Sequence, residues 1–145
     1  MQLAVEEAAK AAAQGEVPVG AVITWQGQIL AKTGNRCIRD TDPTAHAEIL
    51  AIRQAARQFG QYRLPECSLF VSLEPCTMCA GAISFARLQR VFFAAWDIKG
   101  GAVDHGPRFF NHASCMHRPE VHAGLMETEA KELLQAFFQN KRHTQ

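Results

Sequence analysis

The chain alternates between segments whose apolar residues have helical spacing and segments whose apolar residues run together. Helical spacing of three or four positions occurs in four segments and predicts a helix in each. These segments are residues 1–14, 44–59, 75–86 and 127–141. Short apolar runs bounded by Gly, Pro or Asn predict strands. These runs are residues 20–25, 28–32, 67–72 and 90–95.

Each predicted helix is expected to turn one apolar stripe toward a core. For three of the helices, the stripes are Leu3, Ala4, Ala8 and Ala12; Ile49, Ile52, Ala56 and Phe59; and Leu133, Leu134, Phe137 and Phe138. Asp42 or Thr44 is expected to cap the second helix. The run at 91–95 barely alternates, which is typical of a central strand buried on both faces.

The order of these elements predicts an α/β fold in which helices cover both faces of a sheet. A length of 145 residues and a hydrophobic content of 48% suit one domain, residues 1–145, with a sizeable core. No repeat, low-complexity tract or linker divides it. The second and third helices are expected to begin at the same edge of the sheet, where open α/β folds bind ligands.

Charge and cysteine content narrow the cellular setting. The net charge of +1 gives no strong overall field, so any binding of nucleic acid must rely on a local patch. The odd number of cysteines, five, without a signal peptide favours the reducing cytoplasm. No apolar run approaches the roughly 20 residues of a membrane span.

The residues that carry chemistry lie in two segments, His46-Ala47-Glu48 and Pro75-Cys76-Thr77-Met78-Cys79. Catalytic zinc takes nitrogen and sulfur ligands in a tetrahedron and keeps one position open for water. His46, Cys76 and Cys79 would supply three ligands and leave the fourth position open. With Pro75 at the first helical position, both thiolates would lie in the first turn, where the helix dipole favours negative charge.

Glu48 is interpreted as a proton carrier beside the metal. On a regular helix, residues two apart point to different faces, so a second ligand would be expected three or four residues from His46. A carboxylate next to the metal can instead relay the proton released by bound water. The combination of His-x-Glu with Pro-Cys-x-x-Cys is the signature of zinc nucleobase deaminases.

Several other interpretations of these residues remain open. A Cys-x-x-Cys pair alone more often indicates structural zinc or redox chemistry, although a closed zinc site needs a fourth protein ligand and none lies near either segment. Residues 104–118 contain three His and one Cys and could form a second metal site, or a surface loop that touches substrate. Phe109-Phe110 could stack on a base or fill the core.

Three further positions each have a structural and a functional interpretation. Asn35 could be a turn residue, or it could bond an adenine edge with its amide. Asp97 follows a strand end and could close a turn or hold a sugar hydroxyl. The basic residues 141–143 could complement the dipole of the last helix or contact phosphate.

The chain resembles the bacterial tRNA-specific adenosine deaminases of the cytidine deaminase superfamily. The resemblance rests on both zinc segments and on three further blocks. These blocks are Gly15-Glu16-Val17-Pro18-Val19-Gly20-Ala21-Val22, Gly34-Asn35 and His117-Arg118-Pro119-Glu120-Val121. The zinc segments indicate the superfamily, and the first and last of these blocks favour its tRNA branch. The segment 100–115 departs from the family pattern, with its Arg108-Phe109-Phe110 and additional His residues.

The resemblance implies a cytidine deaminase-like three-layer α/β/α sandwich with a mixed sheet of about five strands. It implies hydrolytic deamination of adenosine to inosine at the wobble position of a tRNA anticodon, by zinc-activated water with Glu48 as proton shuttle. It also implies a cytoplasmic homodimer with one zinc per subunit, held by His46, Cys76 and Cys79. Asn35 matches the residue that bonds the flipped base, and Asp97 matches one near the target ribose.

Two alternatives to this function are kept. A deaminase of free guanine, free cytosine or a nucleoside would share the zinc segments. A non-catalytic zinc or RNA-binding protein would not need Glu48 or an open metal position. Activity on free bases and on an anticodon stem-loop would separate these possibilities.

Overall fold

The computed structural model describes residues 1–143 and consists of a five-stranded mixed sheet with helices on both faces. The predicted single domain of residues 1–145 therefore extends two residues beyond the described part. The helices are α1 (Gln2–Ala13), α2 (Ala47–Phe59), α3 (Thr77–Ala86) and α4 (Glu127–His143). The strands are β1 (Gly20–Trp25), β2 (Gln28–Gly34), β3 (Cys67–Leu73), β4 (Arg90–Ala95) and β5 (Glu120–Ala123).

The sheet has the strand order β2-β1-β3-β4-β5. Strand β1 is antiparallel to β2 and to β3, whereas β3, β4 and β5 run parallel. A register shift in the β1–β2 pairing after Ile23 marks a bulge near the outer end of the hairpin. No helix in residues 1–143 is both long and apolar enough to cross a lipid bilayer.

The helices form two layers, α2 with α3 on one face of the sheet and α1 with α4 on the other. The larger core includes Leu69 and Val71 from β3 together with Ala51 and Ile83 from the helices above them. A smaller core, built around Ala94, Ala95 and Ala130, lies on the α1 and α4 side. The predicted α/β sandwich with about five strands is confirmed.

The predicted stripes are confirmed only in part, because Ala4, Ala8 and Phe137 are buried as expected but other positions are more buried than their predicted neighbours. The buried positions are Ala4, Ala8 and Ala11 in α1; Ala47, Glu48, Ala51 and Ala55 in α2; and Ala130 and Phe137 in α4. The residues Ile49, Ile52, Ala56 and Phe59 are only half-buried, and Phe138 is exposed. Small residues occupy the contact line because the helices lie close to the sheet, and larger side chains pack along its margins.

The contact of α1 with β1 shows how close these layers are. A Cβ added at Gly20 would overlap the carbonyl oxygen of Ala4 and lie 2.6 Å from the amide nitrogen of Ala8. Only glycine at this position lets the helix rest directly on the strand. The backbone N–H of Gly20 also donates to the buried Ser72 Oγ at 3.0 Å, and this bond connects the start of β1 to the end of β3.

One edge of the sheet collects the segments that carry the predicted chemistry. Strands β2, β3 and β4 all end there, and they are followed by the loop to α2, by the start of α3 and by the loop beginning at Trp96. Carboxyl ends of strands at one edge bring distant parts of the sequence together. The fold therefore places the two predicted zinc segments side by side.

Candidate metal centre and active site

His46 is the residue that immediately precedes helix α2. Its backbone is extended, with φ −72° and ψ 150°, and the helix begins at Ala47. The expected cap at Asp42 or Thr44 is wrong, because Asp42 Oδ1 instead accepts bonds from the amide and hydroxyl of Thr44 and closes a turn ahead of the helix. The first helical amide, that of Ala47, donates to Asn35 Oδ1 at 2.7 Å. Asn35 thus caps the helix from a separate loop.

Cys76 and Cys79 lie at the start of helix α3. Cys76 is the extended residue before the helix, and Cys79 is in its first turn. The helix begins at Thr77, so the placement of Pro75 at the first helical position is wrong by two residues. The consequence for the sulfurs is unchanged, because both still lie at the amino end of the helix, where its N–H groups favour thiolate.

The three side chains have the separations that a tetrahedral metal requires. His46 Nδ1 lies 3.6 Å from Cys76 Sγ and 3.5 Å from Cys79 Sγ. Bonds of about 2.3 Å to sulfur and about 2.0–2.1 Å to nitrogen, at the tetrahedral angle, place S and N about 3.5 Å apart. All three ligand atoms lie within 4.8 Å of one another. Within residues 1–143, this is the one group of three or more such side chains positioned to hold a metal.

The charge state of the two thiols also fits a divalent cation. The pKa of Cys76 is lowered to about 4, chiefly because the Cys79 thiol donates a hydrogen bond to its sulfur. The same bond and burial raise the pKa of Cys79. Without a metal the pair therefore shares one proton, and a soft cation that replaces this proton recovers two thiolate ligands.

Glu48 lies beside this group but is not one of its members. It is the second residue of α2, and its side chain is buried on the face toward α3. The prediction that His46 and Glu48 lie on different faces of one helix does not apply, because His46 precedes the helix. The two side chains point in different directions because the backbone is extended at His46 and helical at Glu48. Burial raises the pKa of Glu48 to about 7. Such a carboxyl can both accept and return a proton near neutral pH.

The structure gives Asn35 and Asp97 clear structural contacts. Asn35 is buried and uses its oxygen for the cap of α2, while its Nδ2 has no hydrogen-bond partner in residues 1–143. Asp97 is half-buried, and its Oδ1 accepts the amides of Lys99 at 3.2 Å and Gly100 at 2.9 Å. Asp97 Oδ1 thus closes a turn, as one of the two interpretations expected. The role of Asp97 toward a substrate stays a prediction.

The sequence pattern missed the role of Glu74, the residue before Pro75. Its buried carboxylate accepts four backbone N–H groups, from Asp97, Val103, Asp104 and His105. The His105 ring also donates to it at 2.8 Å. Burial alone raises the pKa of Glu74, but these hydrogen bonds outweigh burial and hold it below the ordinary value. The only signal in the sequence is an acidic residue at the end of an apolar strand.

The His-rich stretch forms no second metal group. His112 Nδ1 bonds Ser114, and His117 Nε2 donates to the Leu88 carbonyl at 2.7 Å, so the two side chains serve different local contacts. Phe110 is buried in the larger core, and Phe109 packs against it in a short 3₁₀ turn. This arrangement supports the core interpretation of Phe109-Phe110.

Comparison with known proteins agrees with this fold and site. The family model of MafB19-like deaminases matches residues 1–142, and the chain belongs to this family. It is 52% identical over 142 residues to a tRNA-specific adenosine deaminase of Agrobacterium fabrum, covering 98% of this chain and 93% of that protein. The resemblance to bacterial tRNA-specific adenosine deaminases is thereby confirmed.

Two solved structures of deaminases are also similar to this chain. One comes from biochemical and structural studies of A-to-I editing by tRNA:A34 deaminases at the wobble position of transfer RNA. It matches with a TM-score of 0.91 and 52% identity, over 92% of this chain and 97% of that chain. A guanine deaminase from Bacillus subtilis matches with a TM-score of 0.64 and 46% identity, over 66% of this chain and 61% of that chain.

Proposed function

We propose that this protein hydrolyses adenosine to inosine at the wobble position of a tRNA anticodon. The observation that carries the proposal is the tetrahedral spacing of His46 Nδ1 and the two sulfurs, with the buried Glu48 beside them. The 52% identity with a tRNA-specific adenosine deaminase over 98% of the chain selects the substrate.

His46, Cys76 and Cys79 would hold one Zn²⁺ per subunit. When bound, zinc supplies a water of lowered pKa and keeps one coordination position for it. The amino ends of α2 and α3 fix the ligands on rigid elements, and their N–H groups stabilise the negative sulfurs. The chain therefore needs no rearrangement of its backbone to present this set of ligands.

Glu48 is the proton carrier of the reaction. Deamination takes a proton from water and delivers protons to the base and to the departing ammonia, so the carrier must be able to accept and release them near neutral pH. Burial brings the pKa of Glu48 to about 7, which suits both tasks. Its position on a helix covered by α3 keeps bulk water from competing for the proton.

Asn35 and Asp97 would bind the substrate. The Nδ2 of Asn35 is a donor with no hydrogen-bond partner in residues 1–143, and a donor of this type suits an acceptor on the adenine edge. The Oδ2 of Asp97 accepts no hydrogen bond within residues 1–143, which leaves it for a ribose hydroxyl. Each residue uses its other polar atom to hold its own loop in place.

The surface next to Asp97 suits RNA better than a free base. A groove of about 800 Å³ runs between the loop after β4 and helix α4. Trp96, Ile98 and Phe138 give it apolar walls, and Lys99 and Arg142 give it positive charge. Aromatic rings beside cations are the combination that binds unstacked nucleotides and their phosphates. An anticodon loop also offers an adenosine that is already unpaired.

A homodimer in the cytoplasm completes the proposal. Helix α3 is apolar on both faces, and its outer side exposes Met78 and Phe85, with the exposed Met116 nearby. A helix that is apolar all round is ordinarily covered on both sides. Sedimentation should therefore give a dimer, and Phe85→Ser should weaken association. A monomer at micromolar concentration would contradict this part.

The test of the function is mass analysis of nucleosides after incubation with zinc-loaded protein. An anticodon stem-loop with adenosine at the wobble position should yield inosine, and Glu48→Ala at equal zinc content should not. Free adenine, adenosine, guanine and cytosine serve as competing substrates. Turnover of a free base with no inosine in the RNA would favour the second candidate, a free-base deaminase, to which the guanine deaminase structure points.

A further inference from the structure

The loop after β4 is held by a single buried carboxylate. Glu74 Oε1 accepts the amide of Asp97 at 3.0 Å and the ring N–H of His105 at 2.8 Å. Its Oε2 accepts the amides of Val103 at 3.1 Å, Asp104 at 2.9 Å and His105 at 3.1 Å. One side chain thus fixes both the beginning and the end of a nine-residue loop, 97–105, which forms little regular structure of its own.

The backbone around Glu74 reinforces this attachment. Glu74 donates its own amide to the Ala95 carbonyl at 2.8 Å, and the Ala102 amide donates to the Pro75 carbonyl at 2.9 Å. Gly101 passes directly over the carboxylate, and a Cβ at this position would overlap the Glu74 carboxyl carbon. The loop therefore lies in contact with the segment that ends, two residues later, in the proposed ligand Cys76.

We propose that Glu74 is the positioning residue that sets Asp97, and with it the substrate-binding loop, at a fixed distance from the metal-ligand segment. This inference rests on the proposed function, since it concerns how RNA meets the site. Glu74 itself is fully covered by protein, so it acts through the loop. Its contacts go to the loop that carries Asp97, while Cys76 and Cys79 lie at the start of helix α3.

A carboxylate is the side chain that this position requires. Five donors face its two oxygens, and neither oxygen faces an acceptor. In Glu74→Gln, which keeps the size of the side chain, the amide NH₂ must point at the donors on one side or the other. One orientation leaves the Asp97 amide without an acceptor, and the other leaves the three amides of residues 103–105 without one, so either pushes the loop away.

The first experiment compares the kinetics of two variants that disturb the same contact from opposite sides. In zinc-loaded protein, Glu74→Gln and Gly101→Ala should each raise the KM for the anticodon stem-loop by about tenfold to a hundredfold, as lost charged hydrogen bonds do. The zinc content should stay at one per chain and kcat within about twofold of wild type. Gly101→Ala also serves as the second variant if Glu74→Gln does not fold.

Leu64→Ala is the matched control for lost stability. Leu64 is fully buried and precedes β3, at the end of the sheet away from the site. This variant should lower the melting temperature, as cavity formation does, but leave KM unchanged. If Leu64→Ala raises KM as much as Glu74→Gln does, then the kinetic effect is one of general stability and the inference is overturned.

A double-mutant cycle tests whether Glu74 acts through Asp97. If it does, adding Asp97→Ala to Glu74→Gln should raise KM by no more than about twofold over the worse single variant. Multiplication of the two effects would overturn the inference. Hydrogen exchange gives a readout apart from activity: amides 97 and 103–105 should exchange faster in Glu74→Gln, with α2 and α3 unchanged.

The outcomes separate this inference from the function on which it rests. Wild-type protein that leaves the stem-loop unchanged would refute the proposed function and the inference together. An active wild type combined with an unchanged KM in Glu74→Gln would refute the inference alone.

Discussion

The two polar atoms of the Asn35 side chain have separate tasks, and substitution can remove them one at a time. Its Oδ1 accepts the amide of Ala47, the residue between the proposed ligand His46 and the proposed proton carrier Glu48. Its Nδ2 is the proposed donor to the base. Asn35→Ala removes both groups, whereas Asn35→Asp keeps the acceptor and removes the donor.

The structural part of this change has a definite size. In Asn35→Ala the Ala47 amide loses a bond of 2.7 Å in a buried place. An unsatisfied buried N–H costs about 1–3 kcal/mol, and loss of a helix cap typically about 1 kcal/mol. At about 2–4 °C per kcal/mol for a domain of this size, the melting temperature should fall by roughly 2–12 °C.

Asn35→Asp should behave differently because its carboxylate still accepts the Ala47 amide. Negative charge at the amino end of α2 is favoured by the helix dipole, so stability should stay within about 1 kcal/mol of wild type. Deamination should nevertheless fall, since the bond to the base is lost. A single neutral hydrogen bond contributes about 0.5–1.5 kcal/mol, or roughly twofold to tenfold in kcat/KM.

The assay combines thermal unfolding with kcat/KM on the stem-loop, at equal zinc content for all three proteins. Full activity in Asn35→Asp would refute the base-binding role. An unchanged melting temperature in Asn35→Ala would refute the capping role. The two roles can thus fail independently.

Three further predictions follow from the buried ionisable groups. Glu48→Ala should retain zinc by metal analysis but lose about 10²–10⁴-fold in kcat, as expected for loss of a general acid–base group; wild-type turnover would contradict this. After removal of metal by a chelator, Cys76, with its pKa of about 4, should be alkylated at pH 7, whereas Cys67, whose pKa burial raises to about 11, should not. Mass spectrometry of the peptides measures the alkylation of each residue, and faster alkylation of Cys67 than of Cys76 would contradict the prediction. The pKa of Glu74 is held below its ordinary value of 4.5 in the folded protein, so on acidification the unfolded chain takes up this proton first. The contribution of ionised Glu74 to the free energy of unfolding is therefore complete above about pH 4.5. It is lost as the pH falls through the lower pKa of the folded state. Glu74→Gln should lack this acid-dependent loss in urea unfolding.

The helices, the first four strands and the grouping of the three candidate metal ligands could be predicted because each depends on local chemistry. Spacing of apolar residues is a property of a continuous segment, and the residue types of His46, Cys76 and Cys79 match the ligand preferences of zinc. Strand β5 could not be predicted in this way. It has four residues, three of them exposed, and it forms only because β4 offers a parallel edge.

The caps and contact faces depended on information that neighbouring residues do not contain. Asn35, not Asp42 or Thr44, caps α2 because the fold brings a loop 12 positions away against the helix start. In α2 the fully buried positions are alanines at 47, 51 and 55, whereas Ile49 is only half-buried and Ile52 is a partly buried residue packed against the core. Glu74 likewise gains its role only from a loop that begins 23 residues later.

The two outer strands limit how copies of this chain can join. At one border, β2 carries a bulge and an exposed lysine, Lys32, and at the other, β5 is only four residues long with the charged Glu120. Neither border presents the long, flat row of free amides and carbonyls on which fibrils grow. Growth by strand addition is therefore disfavoured at both sides, which is compatible with the closed association through the outer side of α3 that we propose.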